Sequence, residues 1–385
     1  MTGLDFDLTE EQREFRDAVR EFAEEAVVPV AEEHDRTETF PLEVVRRMGD
    51  LGLFGLPFPE RYGGLDGDFV TFCLCLEELA RVDPSVAITL GAAVVLGANP
   101  VFRFGTEEQK DRWLIPMCRG KVLGSFGLTE AGAGSDAHGV RTTARLEDDE
   151  WVIDGTKAFV TNSGTPLSEV CLVAAWTGGG EISVILVPGG TSGFTVGPAH
   201  SKVGWRARDT HELVFEGCRV PEGNLLGERG GGHRELLETL DDWRIALAAV
   251  GVGLVRGCLE ESVKHARESE IFGRPSGELD ALRFEVADMK VAVETARLAY
   301  LKAAWLRDRG RPYGTEAAIA KVYASEIAPS CTRSAAQMHG GHGSIQGSPA
   351  ARFYRDAEML EIEGGTSETQ RLFIARDLGL PSAEP

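Results

Sequence analysis

The chain has 385 residues, which is long for a single hydrophobic core, so we expect two or three packed units. An apolar content of 43% and an aromatic content of 8% are typical of a globular protein and exclude a largely disordered one. The net charge is −21 and Lys and Arg are scattered along the chain, so we expect no nucleic-acid partner.

The seven cysteines have spacings that match neither a disulfide framework nor a zinc site. We therefore expect buried thiols, no metal and a reducing, cytoplasmic compartment. The acidic start MTGLDFDLTEEQ lacks the apolar segment of a signal peptide. We find no apolar run that approaches about 18 residues, and we predict that nothing spans a membrane.

The first third of the chain has the spacing of amphipathic helices. Thr9 and Gln12 fit a capping box, and Phe15 and Phe22 follow at helical intervals. Further helical stretches continue as far as EEQKDRWLIPMCRG. The sequence therefore predicts an N-terminal helical bundle over residues 1–121.

The period then changes from helical to alternating. TTARLEDDEWVIDGTKAFVTNSG alternates apolar and polar residues, and its Asp154-Gly155 pair is a hairpin signal. EISVILVP and HELVFEGCRVP have the length and composition of further strands. We predict a β-domain over residues 122–232, built as a small barrel or a sandwich.

Beyond the glycine-rich linker GERGGGH, the helical period returns in three long runs. Long helices joined by short glycine-containing loops indicate an up-down four-helix bundle over residues 233–385. The predicted fold class is therefore α+β, with a β-domain between two helical domains.

Two glycine-rich segments are candidates for ligand binding. LTEAGAGSD, residues 128–136, offers backbone N–H groups and hydroxyls to a flat polar ring or a phosphate, although an ordinary turn is an alternative. QMHGGHG, residues 337–343, has two histidines but no carboxylate or cysteine at metal-ligand spacing. Its glycines are better explained by close approach of the backbone to a cofactor.

Several motifs together resemble the acyl-CoA dehydrogenase family over nearly the whole chain. They are FGLTEAGAGSD, KAFVTNSG, KVGWRARDTHELVFEGCRVP, QMHGGHGS and RDAEMLEIEGGTSETQRLFIAR. The resemblance implies a FAD-dependent oxidoreductase that removes hydrogens from Cα and Cβ of an acyl thioester, carried by CoA or by an acyl-carrier protein. It also implies a homotetramer or heterotetramer and an electron-transfer acceptor.

The resemblance further implies which residues meet the cofactor and the substrate. The implied FAD contacts are Phe126, Leu128, Thr129, Ser135, Phe159, Thr161, Gln337, Gly340, Gly341, Thr366 and Glu368. The implied substrate contacts are Ser135, Asp241, Trp243, Arg244, Gly364 and Gly365. In this alignment Thr129 bonds the flavin ring, Phe159 covers it, and residues 337–341 reach the diphosphate of a neighbouring subunit's FAD.

The chain departs from the family pattern at the catalytic base, which takes the α-proton of the substrate. The usual Glu directly before Gly-Thr-Ser is Gly364, and the position of the alternative Glu on the long helix is Trp243. Three interpretations stay open. Glu363 could replace the base, the chemistry could be a base-free lyase reaction of the desulfinase kind, or the chain could be the base-lacking subunit of a mixed oligomer.

Three further departures bear on cofactor and substrate. Ser269 stands where the resemblance leads us to expect an Arg at the FAD diphosphate, and Asp280 stands where it leads us to expect a Gln. Both changes should weaken diphosphate binding, which a heteromer would tolerate. Trp243 should shorten the acyl pocket and favour a short or branched acyl group, unless its indole turns into the helix core.

Overall fold

A computed structural model of the chain describes residues 7–134 and 139–381. Helices are followed by strands and then by helices again, and the predicted α+β class is confirmed. The first helical part ends at Cys118, the strands begin at Leu123, and the long C-terminal helices begin at Gly232. The division into three domains at residues 121 and 232 stays a prediction.

The N-terminal helices begin with the predicted capping box. The Thr9 side chain accepts a hydrogen bond from the Gln12 backbone, and the Gln12 side chain accepts one from the Thr9 backbone. The α-helices are α1 (Glu10–Phe22), α2 (Val28–Thr37), α3 (Leu42–Asp50), α4 (Phe69–Ala80), α5 (Pro84–Gly91), α6 (Asn99–Phe104), α7 (Glu107–Gln109) and α8 (Ile115–Cys118). Three π-helical segments join them, at Ala23–Val27, Ala92–Ala98 and Lys110–Leu114.

The expectation about apolar runs was wrong for one stretch. Pro84–Phe104 is helical over 21 residues with a mean hydropathy of 1.8, which is long and apolar enough to cross a membrane. However, 89% of its most apolar window is buried inside the fold. Helices that are apolar all round belong either to a membrane or to a protein core, and this burial identifies the stretch as a core helix.

The β-domain is one eight-stranded sheet and does not close into a barrel within the described residues. The order is β6-β7-β3-β2-β4-β5-β8, with β1 pairing parallel to β4. The strands are β1 (Leu123–Gly127), β2 (Thr143–Glu147), β3 (Glu150–Thr161), β4 (Ser168–Gly178), β5 (Glu181–Pro188), β6 (Phe194–Ala199), β7 (Thr210–Pro221) and β8 (Leu225–Leu226). Of the two predicted forms, only the sandwich is compatible with this sheet.

As far as residue 381, the C-terminal part contains three long helices and two shorter ones. They are α9 (Gly232–Glu268), α10 (Asp280–Asp308), α11 (Gly314–Met338), α12 (Pro349–Ile362) and α13 (Ser367–Asp377). A small hairpin of β9 (Glu270–Ile271) and β10 (Arg274–Pro275) follows α9, and a 3₁₀ turn, Gly340–Ser344, follows α11.

One hydrophobic core joins the two helical parts. Glycines on α9 allow the close contact with α4, because a Cβ at Gly253 would lie 2.4 Å from the Glu77 carbonyl oxygen. A second core lies within the β-domain around Trp151 and Phe215. All seven cysteines are buried free thiols, as predicted.

Candidate active site

The loop after β1 is anchored to β3 by a buried ion pair. Lys157 Nζ donates to Glu130 Oε1 at 2.7 Å and to the Leu128 carbonyl at 3.2 Å. Glu130 also accepts from the backbone N–H and the hydroxyl of Thr142. Burial alone would raise the pKa of Glu130, but the hydrogen bonds from Lys157 and Thr142 lower it. The carboxylate is therefore charged, and it fixes the backbone of the loop.

A bulge in β3 presents Phe159 to the outside. The register between β3 and β7 shifts after Lys157, and the Ala158 N–H donates instead to the Thr129 carbonyl at 2.8 Å. Phe159 has a φ of 57°, unusual for a bulky residue, and its side chain is 64% exposed. The ring lies 5.5 Å from the His200 ring. Strained backbone positions cluster at binding and active sites, so the exposed Phe159 ring indicates a binding position.

The structure brings the predicted flavin contacts of the β-domain together. Phe126 is on β1, Leu128 and Thr129 are in the anchored loop, and Phe159 and Thr161 are on β3. The exposed Phe159 ring beside a rigid backbone fits a flat aromatic ring system such as that of FAD. Ser135 lies outside the described residues.

The other predicted FAD contacts lie on the C-terminal helices. Gln337, Gly340 and Gly341 are exposed at the end of α11. Gly340 has a φ of 57°, and a Cβ on either glycine would meet no described atom within 4 Å. This open backbone fits the close approach of a diphosphate. Thr366 caps α13, with its side chain accepting from the Thr369 N–H, and Glu368 is exposed in the first turn.

The loop between α12 and α13 contains the position that lacks the base. Gly364 has a φ of 70° and Gly365 a φ of 91°, in the left-handed region that favours glycine. A Cβ at Gly364 would lie 2.4 Å from Leu247 Cδ1 and 3.3 Å from Trp243 Cδ1. The space for a side chain at this position is therefore already occupied by two residues of α9.

Trp243 lies between two glycines. A Cβ at Gly91 of α5 would lie 3.1 Å from Trp243 Cζ3, while the opposite edge of the indole faces Gly364. The side chain is 2% exposed. The indole therefore fills the gap between α5 and the Gly364 loop, and the two positions that lack a base form one contact.

Glu363 is engaged in an ion pair. Its Oε2 accepts from Arg208 Nη1 at 2.6 Å, and the Arg208 side chain is 4% exposed. The guanidinium also lies 5.0 Å from the centre of the Trp205 ring. Arg208 Nε is buried without a hydrogen-bond partner among the described residues. Glu363 as the replacement base stays a prediction.

Two side chains, Lys321 and Gln370, donate hydrogen bonds to backbone carbonyls of the Gly364 loop. Lys321 Nζ donates to the Gly365 carbonyl at 2.7 Å and to the Glu361 carbonyl at 3.2 Å. Gln370 Nε2 donates to the carbonyls of Gly364 and Gly365, both at 3.1 Å. Burial lowers the pKa of Lys321 to about 8. The two donors fix the direction of the peptide groups at the site.

The other predicted substrate contacts on α9 are Asp241 and Arg244, and both lie within one helical turn of Trp243. Arg244 donates to Asp241 and lies 5.2 Å from the Phe373 ring centre, and its Nε has no partner among the described residues. The intervening Asp242 is fully buried and accepts from Arg307, Asn99 and Tyr313. Asp242 is thus a structural acid that faces away from the site.

Arg208 and Lys321 were not predicted from the sequence as site residues. Lys321 had a visible signal, since it is the one charged residue in the small apolar segment AAIAKVYA. Arg208 lies within the motif KVGWRARDT but had no distinguishing feature there. A cavity of about 420 Å³ opens elsewhere on the β-domain, beside Gly164, Gly189 and His211, and none of the predicted site residues lines it.

Comparisons with known proteins identify the family of the chain. The acyl-CoA dehydrogenase N-terminal, middle and C-terminal domain models match residues 9–121, 125–218 and 230–379. The probable acyl-CoA dehydrogenase YngJ of Bacillus subtilis is 44% identical, over 97% of this chain and 100% of the relative.

Two solved structures are similar over almost their full length. Butyryl-CoA dehydrogenase from Megasphaera elsdenii has a TM-score of 0.95 at 39% identity, covering 97% of this chain and 100% of that one. The prolyl acyl carrier protein oxidase AnaB has a TM-score of 0.93 at 30% identity, again covering 97% and 100%. The chain belongs to the acyl-CoA dehydrogenase family.

Proposed function

We propose that this protein is a FAD-dependent oxidoreductase that dehydrogenates an acyl thioester with a short or branched acyl group. The observation that carries the proposal is the indole of Trp243, which fills the gap between Gly91 and Gly364. We infer that an indole at this position limits the length of the acyl chain. The similarity to a butyryl-CoA dehydrogenase supports a short chain, and the similarity to a carrier-protein oxidase leaves both CoA and a carrier protein as thioester carriers.

The cofactor-binding residues have separate tasks. Bound FAD would supply the acceptor for the β-hydride. Phe159 covers one face of the ring site, and the Lys157–Glu130 pair holds the Leu128–Thr129 backbone in place. Such prearranged contacts orient the reacting groups without reorganisation during the reaction.

The Gly364 loop positions the thioester. We place the thioester oxygen at the Gly364 N–H, because Lys321 and Gln370 fix the neighbouring carbonyls and hence the direction of the peptide groups. A fixed N–H donor stabilises the negative charge that develops on this oxygen as the α-proton leaves.

Glu363 is our candidate for the group that accepts the α-proton. It directly precedes Gly364, and its carboxylate is held by Arg208. Proton transfer then requires the carboxylate to turn from the guanidinium towards the substrate.

The same ion pair favours a second candidate function. If Glu363 remains bound to Arg208, the site has no base, because Trp243 and Leu247 occupy the space at Gly364. The chain would then be the base-lacking subunit of a heteromeric acyl-CoA dehydrogenase. A base-free lyase reaction stays a prediction without a specific observation in its favour.

The test measures reduction of bound flavin by butyryl thioesters of CoA and of a carrier protein, under anaerobic conditions. We expect reduction by one of them and a loss of about 100-fold or more in Glu363→Gln, since removing a general base typically costs this much. Glu358→Gln is the matched control, because Glu358 is an exposed acid on the same helix, α12. Unchanged reduction in Glu363→Gln would rule out Glu363, and a FAD-bound protein that no thioester reduces would favour the base-lacking subunit.

A further inference from the structure

Arg208 lies between the two halves of the candidate site. It belongs to the loop that joins β6 to β7. The next residue, Asp209, accepts a hydrogen bond at 2.9 Å from the N–H of Asn162, the residue that follows β3 and its predicted flavin contacts. The Arg208 guanidinium itself reaches Glu363, which directly precedes Gly364. Arg208 therefore connects the flavin side of the site with the loop where we place the thioester.

The loop holds the guanidinium in a fixed position. Trp205 has a φ of 49°, which is strained for a bulky residue, and its indole is fully buried. The Trp205 carbonyl accepts from the Arg208 N–H at 3.1 Å, and the guanidinium lies 5.0 Å from the centre of the indole. Lys202 Nζ donates to the Arg208 carbonyl at 2.6 Å. Strain that is held in place by so many contacts is typical of ligand-binding segments.

The guanidinium has a donor that Glu363 does not use. Arg208 Nη1 donates to Glu363 Oε2 at 2.6 Å, whereas Nε is buried without an acceptor among the described residues. The planar fork of an arginine matches both oxygens of a carboxylate, and such two-point pairs are the strong ones. A carboxylate placed against Nε and an adjacent Nη would therefore pair with Arg208 more completely than Glu363 does.

Glu363 can act as the proton acceptor only if it leaves Arg208. A buried cation without a partner is costly, because it has lost its hydration and gained nothing in return. The Glu363 side chain is 23% exposed and the Arg208 side chain 4%, so an entering anion meets Glu363 first and can take its place. Such an exchange keeps Arg208 paired and leaves the Glu363 carboxylate free to turn towards the α-proton.

We propose that Arg208 selects the substrate by binding a carboxylate at the far end of the acyl group, in exchange for Glu363. The inference rests on the proposed function for the position of the thioester and for Glu363 as proton acceptor, and it names the substrate class as a short acyl thioester that ends in a carboxylate. The exchange replaces one ion pair by another, and no covalent bond forms or breaks in it. An apolar acyl group leaves Glu363 on Arg208 and should therefore react more slowly.

The test uses two matched pairs of thioesters, succinyl against butyryl and glutaryl against valeryl. The members of a pair have the same number of carbon atoms and differ in the terminal carboxylate. Each is prepared on CoA and on a carrier protein and mixed anaerobically with the FAD-loaded, full-length protein. The concentration dependence of flavin reduction gives Kd and the limiting rate, and calorimetry gives Kd where no reduction occurs. In at least one pair we expect the carboxylate to lower Kd about tenfold or more and to raise the limiting rate.

Substitutions separate binding by Arg208 from proton transfer by Glu363. Arg208→Gln should bind both members of a pair alike. The double variant Arg208→Gln/Glu363→Gln makes the same test without an unpaired charge, should the single variant not fold. Glu363→Gln should keep the preference in Kd, because Arg208 remains, while its rate of reduction falls. Arg206→Gln is the matched control, since Arg206 lies on the same loop but pairs with Glu38 at 2.9 Å, and it should keep the preference.

The outcomes distinguish this inference from the proposed function. Equal affinity within both pairs, or a preference that survives in either Arg208 variant, would overturn the role of Arg208, while flavin reduction by a butyryl thioester would still support dehydrogenation. A preference that depends on Arg208, in a protein whose flavin no thioester reduces, would support the role of Arg208 in binding and overturn the proposed dehydrogenation.

Discussion

At the scale of single residues, Asp356 is a buried acid with only half of its carboxylate satisfied. Its Oδ1 accepts from the Trp205 N–H at 2.6 Å, and Oδ2 has no partner among the described residues. Burial, together with the nearby Asp83, raises the pKa of Asp356 to about 7. This residue supports the loop that carries Arg208, so its protonation state matters for the site.

Asp356→Asn should remove a pH-dependent part of the stability. The folded state holds this proton up to about pH 7, while the unfolded state releases it near 3.8, so the stability contributed by the group is lost as pH rises through this window. The amide can still accept from the Trp205 N–H without a charge. We expect the variant to gain on the order of 2 kcal/mol over the unchanged protein at about pH 8 and less at about pH 5.

Urea unfolding at the two pH values measures this difference. Asp50→Asn is the control, since Asp50 is exposed at the end of α3 and should leave the pH profile unchanged. If Asp356→Asn shows the same pH profile as the unchanged protein, the buried carboxyl is not the group responsible.

At the scale of elements, we propose that α9 and α5 limit the depth of the acyl site through Trp243, whose indole lies between Gly91 and Gly364. Trp243→Ala should open a cavity between α5 and the Gly364 loop, at a cost of about 3–5 kcal/mol in stability. Since longer acyl chains then have room, we expect the ratio of flavin reduction by octanoyl-CoA to that by butyryl-CoA to rise about tenfold.

A second tryptophan separates the effect on the pocket from the loss of stability. Trp151→Ala also removes a fully buried indole, but in the core of the β-domain. It should lower the melting temperature without changing the chain-length ratio. An unchanged ratio in Trp243→Ala would mean that the indole does not line the acyl site.

The elements themselves were largely predictable from the sequence because their signals are local. The capping box at Thr9 and the alternation along β3 could be recognised within a few residues. The bulge that exposes Phe159 could not, since it depends on the Ala158 N–H pairing with Thr129 instead of β7. The apolar stretch from Pro84 was missed because its glycines and its two prolines divide it into short pieces.

Contacts between residues that are distant in sequence could not be predicted from the residue pattern. Alignment with the family motifs located Gly364 and Trp243 separately, but only the folded structure places the indole against the glycine. The Arg208–Glu363 pair joins the β-domain to the end of α12. The spacing of apolar residues along the sequence cannot predict an ion pair between residues so far apart. The open sheet in place of a barrel likewise depends on how the edges pack.

At the scale of the whole molecule, cofactor binding and assembly should be linked. The flavin-ring residues lie on the β-domain, and Gln337 with Gly340 and Gly341 lies exposed at the far end of α11. We expect the chain expressed alone to form a homo-oligomer with about one FAD per chain, since closed symmetric assemblies are the commonest way to complete such shared sites.

Light scattering combined with the flavin absorbance of the same sample gives both numbers. Removal of FAD should shift the oligomer towards smaller species, because we expect the cofactor to bridge subunits. A colourless protein that gains flavin only when co-purified with a second chain would contradict the homo-oligomer and favour a mixed one.

The contact between Trp243 and Gly364 also constrains the order in which this protein could change. A glutamate introduced at position 364 would have to adopt a φ of 70° and would displace the end of the Leu247 side chain, so that single substitution is expected to lower the stability of the protein. A smaller residue at position 247 would relieve the contact, at a cost in core packing. The present arrangement therefore opposes a glutamate at the usual base position and leaves the pair of Glu363 and Arg208 as the nearest charged groups that a substitution could change.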